Sequence, residues 1–211
     1  MDIYNRKQEI VNSLTHALGI LFGIISMPFL LTAAIERHNT LGIVGCAIYS
    51  FSYLMVFTSS TIYHVCKRNR FKDIMRIFDH ISIYFFIAGT YTPFLLVYMN
   101  DAFGMTLLCI LWGLTLFGIV FKAYFTNKYE IVSTIIYLAM GWIMFAGGRT
   151  FFSHLPTQIL AFIITGGVLY SIGVFFYIWD KYKYTHAVWH MFVLCAAVFH
   201  FVAVWLIVSP K

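Results

Sequence analysis

Residues 186–208 read HAVWHMFVLCAAVFHFVAVWLIV, a run without a single Asp, Glu, Lys or Arg. About 20 apolar residues in a helix cross the hydrocarbon core of a bilayer, so this run predicts a transmembrane helix. Working outward, six further stretches of the same kind precede it, at approximately 16–35, 41–66, 79–99, 103–121, 131–148 and 157–179. The breaks at 36–40, 67–76, 100–101, 122–130, 149–156 and 180–184 are short and polar, and none has room for a soluble domain. Gly147, Gly148 and Arg149 blur the end of the fifth stretch. The expected fold is all-α, one seven-transmembrane helix bundle over residues 1–211.

Composition agrees. Hydrophobic residues make up 61% of the 211 and charged residues 10%, with a mean hydropathy of +0.83, whereas a soluble domain carries roughly 25% charged residues. Cys46, Cys66, Cys109 and Cys195 are scattered through apolar stretches with no C-x-x-C pair. They are expected to pack as small apolar residues rather than to form disulfides or thiolate ligands. Residues 1–9 are polar and no small-residue cleavage site follows the first apolar run, so that run is expected to remain as a span. The net charge of +6 collects in short inter-span segments, which argues topology and no nucleic-acid partner.

Alternate segments differ sharply in Lys and Arg. One side carries Arg6, Lys7, Lys67, Arg68, Arg70, Lys72, Arg76, Lys122, Lys128, Lys181 and Lys183; the other carries Arg37, Arg149 and Lys211. By the positive-inside rule the first set is cytoplasmic. The N-terminus is then expected in the cytoplasm and, with an odd number of spans, the C-terminus outside.

Ionisable residues at membrane depth are costly and usually face the bundle interior. His16, His64, Asp79, His80, His186 and His190 all fall at the ends of spans on the basic side, in one thin layer. His38 and His154 belong to the opposite side, and His200 is mid-span. The i, i+4 spacing of His186 and His190 puts both rings on one helical face, and His64 adds a third imidazole. Three protein ligands with an open fourth position is the pattern of a catalytic zinc site, though other metals also accept imidazole. Ser60, one turn before His64, shares its face. Asp79, expected at a helix N-terminus where the dipole favours a carboxylate, is placed to orient a water or take its proton. Blander readings stand beside these. His186 and His190 suit an interface with headgroups, Asp79 suits a helix cap, and Ser60 suits close helix packing. His16 and His80 suit supporting or interfacial roles, and His200 a hydrogen bond inside the bundle.

Several motifs taken together resemble the bacterial hemolysin III-type members of the progestin and adipoQ receptor family, the family of the adiponectin receptors. Glu9-x-x-Asn12-x-x-Thr15-His16 resembles that family's opening, and Ser60-x-x-x-His64 its second helix. Phe78-Asp79-His80 with Gly89-Thr90-Tyr91-Thr92-Pro93 resembles the third, where Pro93 is expected to kink the helix. His186-Ala-Val-Trp-His190 with Ala197-Val-Phe-His200-Phe resembles the last. The resemblance implies a multi-pass protein of the bacterial cell membrane with a zinc ion (Zn2+) on His64, His186 and His190 and a water between the metal and Asp79. It also implies a place among membrane-embedded hydrolases that include alkaline ceramidases. The long N-terminal region of the animal receptors is absent, so hormone-receptor behaviour is not carried over.

The expected function is therefore zinc-dependent hydrolysis of a lipid amide or ester within the membrane, serving lipid homeostasis. Asp79 is the candidate general base and Ser60 the group that holds the water or the oxyanion. A membrane lipid is the expected substrate or ligand. The alternative is a non-catalytic seven-helix sensor in which zinc ties the second helix to the seventh. A pore-forming hemolysin fits less well, because the ionisable residues do not line a path across the membrane.

Overall fold

A computed structural model describes residues 5–67, 70–126, 128–179 and 181–209. Arg68, Asp180 and Lys211, used in the charge and loop arguments, lie outside them. The described chain forms eight helices: α1 (Arg6–Glu36), α2 (Thr40–Val65), α3 (Arg70–Tyr98), α4 (Ala102–Phe125), α5 (Glu130–Gly141), α6 (Met144–His154), α7 (Thr157–Ile178) and α8 (Thr185–Val208). With α5 and α6 taken together as Glu130–His154, seven spans are long and apolar enough to cross a membrane.

Two helices begin well before their apolar stretches. α1 starts at Arg6 because Asn5 and Gln8 form a reciprocal capping box. Asn5 Oδ1 accepts from the Lys7 and Gln8 amides at 3.1 and 3.0 Å, and Gln8 Oε1 accepts from the Asn5 amide at 2.9 Å. α3 starts at Arg70, so most of the expected loop at 67–76 is helix. Asp79 therefore sits about two and a half turns inside α3, and the helix-dipole argument at Asp79 fails. The reason is general: an apolar window marks the hydrocarbon-matched part of a helix, while the helix itself runs on into the headgroup layer. At α2 and α4 the breaks coincide with caps, where Asn39 and Asp101 accept from the Gly42 and Gly104 amides.

The fifth span is broken. α5 ends at Gly141, and Gly148 takes φ 50°, ψ −142° inside α6, a backbone region open to glycine. The freed Gly141 carbonyl accepts from the Tyr91 hydroxyl at 2.5 Å, and the Trp142 indole donates to Ser171 Oγ at 3.0 Å. Neighbouring helices thus satisfy polar groups that lipid cannot. Arg149 lies within α6, so the span reaches past the expected end at 148.

α1–α2, α2–α3, α3–α4, α4–α5 and α7–α8 pack as neighbours, α5 meets α7, and α1 against α8 closes the bundle, with α3 touching α2, α4, α5 and α8. In α3, 72% of the apolar window is buried, against 22–50% in the other spans, which marks it as the central helix. α2 reaches it closely because a Cβ on Gly45 would lie 2.6 Å from Pro93 Cα. α3 runs through Pro93 as one helix. The core is aromatic at its centre, with Tyr49, Tyr53, Phe57, Tyr84 and Phe94 fully buried. Leu14, Leu18, Leu21, Ile25 and Phe29 of α1 are exposed, the expected dress of a helix whose outer face meets acyl chains.

Candidate metal centre

Four helices bring chemistry to one end of the bundle. His64 is on the last turn of α2, His186 and His190 are on the first two turns of α8, and the start of α1 packs between them. α8 begins sharply because Tyr184 takes φ 71°, a left-handed conformation that turns the chain into the helix. Ligand atoms of His64, His186 and His190 all lie within 4.8 Å of one another, a group that fits a metal ion. The ring centroids are 5.3 Å apart for His64–His186, 5.0 Å for His64–His190 and 4.6 Å for His186–His190.

What prepares two of the three rings as donors is the partner behind each of them. His64 Nδ1 is 2.6 Å from Glu9 Oε2, and a carboxylate only accepts, so the proton is on Nδ1. His190 Nδ1 lies 3.1 Å from the Asn12 carbonyl, which likewise only accepts. Both rings are thereby held as the tautomer whose Nε2 carries a lone pair. Among the described residues His64 Nε2 is buried with no hydrogen-bond partner. A buried acceptor without a donor is costly, and an ion shared with the other two rings would satisfy it. The carboxylate–histidine arrangement is also the usual way a protein orients a metal-binding imidazole. Glu9 is itself held, since Lys72 Nζ donates to Oε1 at 2.5 Å.

Ser60 is buried on α2 one turn before His64. The Asp79 carboxyl interacts with Ser60 and lies within the electrostatic reach of His64. A hydroxyl donor and a carboxylate acceptor thus sit beside the three rings, from α2 and α3. The α2–α3 seam is pinned at this level, where Ser59 Oγ donates to Ser82 Oγ at 3.0 Å. His16 is not in the three-histidine group. It stacks on His190, centroids 3.8 Å apart, and against Phe57. His80 is outside the three-histidine group as well, and its backbone carbonyl accepts from the Tyr137 hydroxyl. His200 donates from Nε2 to the Ile163 carbonyl at 3.1 Å, inside the bundle.

Sequence reasoning used Glu9, Asn12 and Thr15 only as a motif and Lys72 only as a charge, and gave none a place at the histidines, where Thr15 Oγ1 also lies 3.4 Å from His190 Nδ1. The signal was present in the spacing of Glu9, Asn12, Thr15 and His16, which lie on one face once the helix is extended back to Arg6. Placing the first helix at residue 16 hid it.

The family described as haemolysin-III related matches residues 4–201, nearly the whole chain. The chain belongs to the haemolysin III family. A Bacillus subtilis (strain 168) hemolysin-3 homolog is 42% identical over 91% of this chain and 90% of its own length. Hemolysin-3 of Bacillus cereus is 34% identical over 97% and 93%. A human relative, monocyte to macrophage differentiation factor, is 28% identical over 94% of this chain and 83% of its own, which extends the likeness to the wider progestin and adipoQ receptor family. As a haemolysin III protein with seven apolar helices, the chain is a multi-pass protein of the bacterial membrane. The haemolysin III match spans every residue of the centre, from Glu9 to His190.

Proposed function

We propose that this chain is a zinc-dependent intramembrane hydrolase of a lipid amide or ester, with His64, His186 and His190 as the metal ligands. The observation that carries the proposal is the pair of ring nitrogens set up as lone-pair donors by Glu9 and the Asn12 carbonyl, beside Asp79 and Ser60. Nitrogen donors suit zinc, and three protein ligands leave a position open. Zinc held there supplies Lewis-acid polarisation of an acyl carbonyl and favours a nucleophile drawn from water near neutral pH.

The residues divide the remaining work. Asp79 takes a proton from the attacking water on a carboxylate oxygen and returns it to the leaving amine or alcohol. Ser60 donates its hydroxyl to the water or to the developing oxyanion. Glu9, clamped by Lys72, and the Asn12 carbonyl hold two of the rings in place. A lipid suits the site because it lies at one end of the spans, at headgroup depth, among helices whose outer faces are apolar. The test is metal analysis of the purified protein, expected to give about one zinc per chain, followed by incubation with ceramide-type amides and acyl esters. Fatty-acid release should stop on chelation and return with zinc. No release from any acyl amide or ester by zinc-loaded protein would sink the proposal.

A second reading keeps the metal but not the chemistry. The three rings come from only two helices, α2 and α8, so an ion there ties those helices and serves a sensor equally well. The Asp79 experiment below separates the two.

For orientation we propose the histidine end as cytoplasmic, on the excess of Lys and Arg at that end. A reporter active only in the cytoplasm is expected to be active when fused after Lys72 and silent after Lys211. Equal activity at both positions contradicts this orientation.

A further inference from the structure

A second polar cluster lies on another face of α3. α4 runs antiparallel to α3 and packs tightly: a Cβ on Gly118 would lie 2.6 Å from the Tyr84 ring, and Thr115 Oγ1 donates to the Tyr84 carbonyl at 3.3 Å. One turn nearer the histidine end, this register sets Lys122 of α4 level with His80 of α3, with Arg76 a further turn along. Lys122 and Arg76 are within each other's electrostatic reach, and His80 is within reach of both. Asp79 and His80 are consecutive, about 100° apart around the helix: Asp79 meets Ser60 and His64, while His80 lies between His186 on one side and Lys122 and Arg76 on the other. α5 closes the cluster through the Tyr137 hydroxyl, which donates to the His80 carbonyl at 2.9 Å, and through buried Ser133.

The cluster gathers cations and holds no buried anion among the described residues. Lys122 is 1% exposed, and among the described residues no carboxylate lies within ion-pair distance of it. Glu130, whose field reaches Lys122, is exposed. Arg76 meets Asp73 only at 3.9 Å, and Asp73 is itself largely exposed. Arg76 Nε and His80 Nδ1 are buried with no hydrogen-bond partner among the described residues, and the Tyr84 hydroxyl faces those of Ser133 and Tyr137. A buried ammonium without a counter-ion is unfavourable, a guanidinium with only a long, exposed ion pair is weakly compensated, and an unpaired buried donor is costly. One ligand removes all of these costs at once.

We propose that this cluster between α3, α4 and α5 binds the phosphate of an anionic glycerophospholipid. A phosphate offers several acceptor oxygens to an ammonium, a guanidinium and hydroxyls together. The depth is right, because the cluster shares the headgroup level of the histidine group, and basic pockets between spans hold anionic headgroups. Beside it the exposed rings of Phe117, Phe125 and Tyr129, with Phe121 between them in a ladder of ring contacts, offer apolar surface to the acyl chains. The site is separate from the metal centre and does not rest on the proposed hydrolysis.

The test is native mass spectrometry of the delipidated full chain in neutral detergent, titrated with phosphatidylglycerol, phosphatidylcholine or inorganic phosphate. One phosphatidylglycerol should bind in preference to phosphatidylcholine. Lys122→Met and Arg76→Gln should each weaken it by about 10- to 100-fold, the range of a lost charge-assisted hydrogen bond. Lys128→Met and Lys181→Met remove exposed charges at the same end and should cost only the few-fold carried by one surface charge. A thermal melt of each variant checks that the bundle is intact. If Lys122→Met and Arg76→Gln bind as wild type does, or lose no more than Lys128→Met, the site is wrong. Binding of inorganic phosphate that depends on Lys122, without binding of phosphatidylglycerol, assigns the cluster to the free anion and overturns the lipid.

Discussion

Asp79→Asn is expected to leave zinc bound and to lower lipid turnover by roughly 10²- to 10⁴-fold, the range of a general-base contribution. Asparagine keeps the size of the side chain and an acceptor oxygen for Ser60, but it takes up no proton from water. The substitution is informative because Asp79 stands outside the three-histidine group while interacting with Ser60 and His64. The comparison is with His186→Ala, scored for zinc content and for complementation of a deletion strain. Zinc retained with function lost supports proton transfer by Asp79, provided a thermal melt excludes a structural defect. Zinc retained with function retained removes Asp79 as an essential base and moves the interpretation to a sensor. Ser60→Ala should also keep zinc, with a comparable or smaller loss of turnover if its hydroxyl serves the oxyanion.

The second large effect is on the metal itself. His64→Ala, His186→Ala and His190→Ala should each strip most of the zinc, since two remaining imidazoles make a poor site. His38→Ala and His154→Ala should leave it in place: His38 is in the α1–α2 turn and His154 ends α6, donating to the Thr150 carbonyl. Between these extremes, Glu9→Gln should keep the site but weaken it about 10- to 100-fold, the usual effect of losing a carboxylate behind a ligating histidine. Glutamine still accepts from His64 Nδ1 through its carbonyl oxygen, but its charge is gone and Lys72 loses its counter-ion. Competition against a chelator of known affinity measures all three grades. Full occupancy in all three inner histidine variants refutes the ligand assignment, and wild-type affinity in Glu9→Gln refutes the role of the carboxylate alone.

The span count, the family and the gathering of His64, His186, His190 and Asp79 at one end were all readable in one dimension. Each depends on local information: apolar length against bilayer thickness, the i, i+4 face of His186 and His190, and alternation of ends with every crossing. Helix ends were not so readable. Hydropathy loses sight of a helix once it leaves the hydrocarbon, so the capping box at Asn5 and the polar start of α3 went unseen, and Asp79 was misplaced at a helix terminus. The break after Gly141 was equally hidden, because its stability comes from Tyr91, fifty residues away.

Tertiary structure alone decided which atom of the His64 and His190 rings is available. Glu9 meets His64 across 55 residues, and the Asn12 carbonyl meets His190 across 178. Those pairs exist because α1 packs between α2 and α8 when the ring of helices closes, and no spacing within one helix encodes that closure. The same holds for Lys122, read in sequence as a topology-setting charge and found buried, because its neighbours on α3 and α5 are set by the antiparallel register of packed helices.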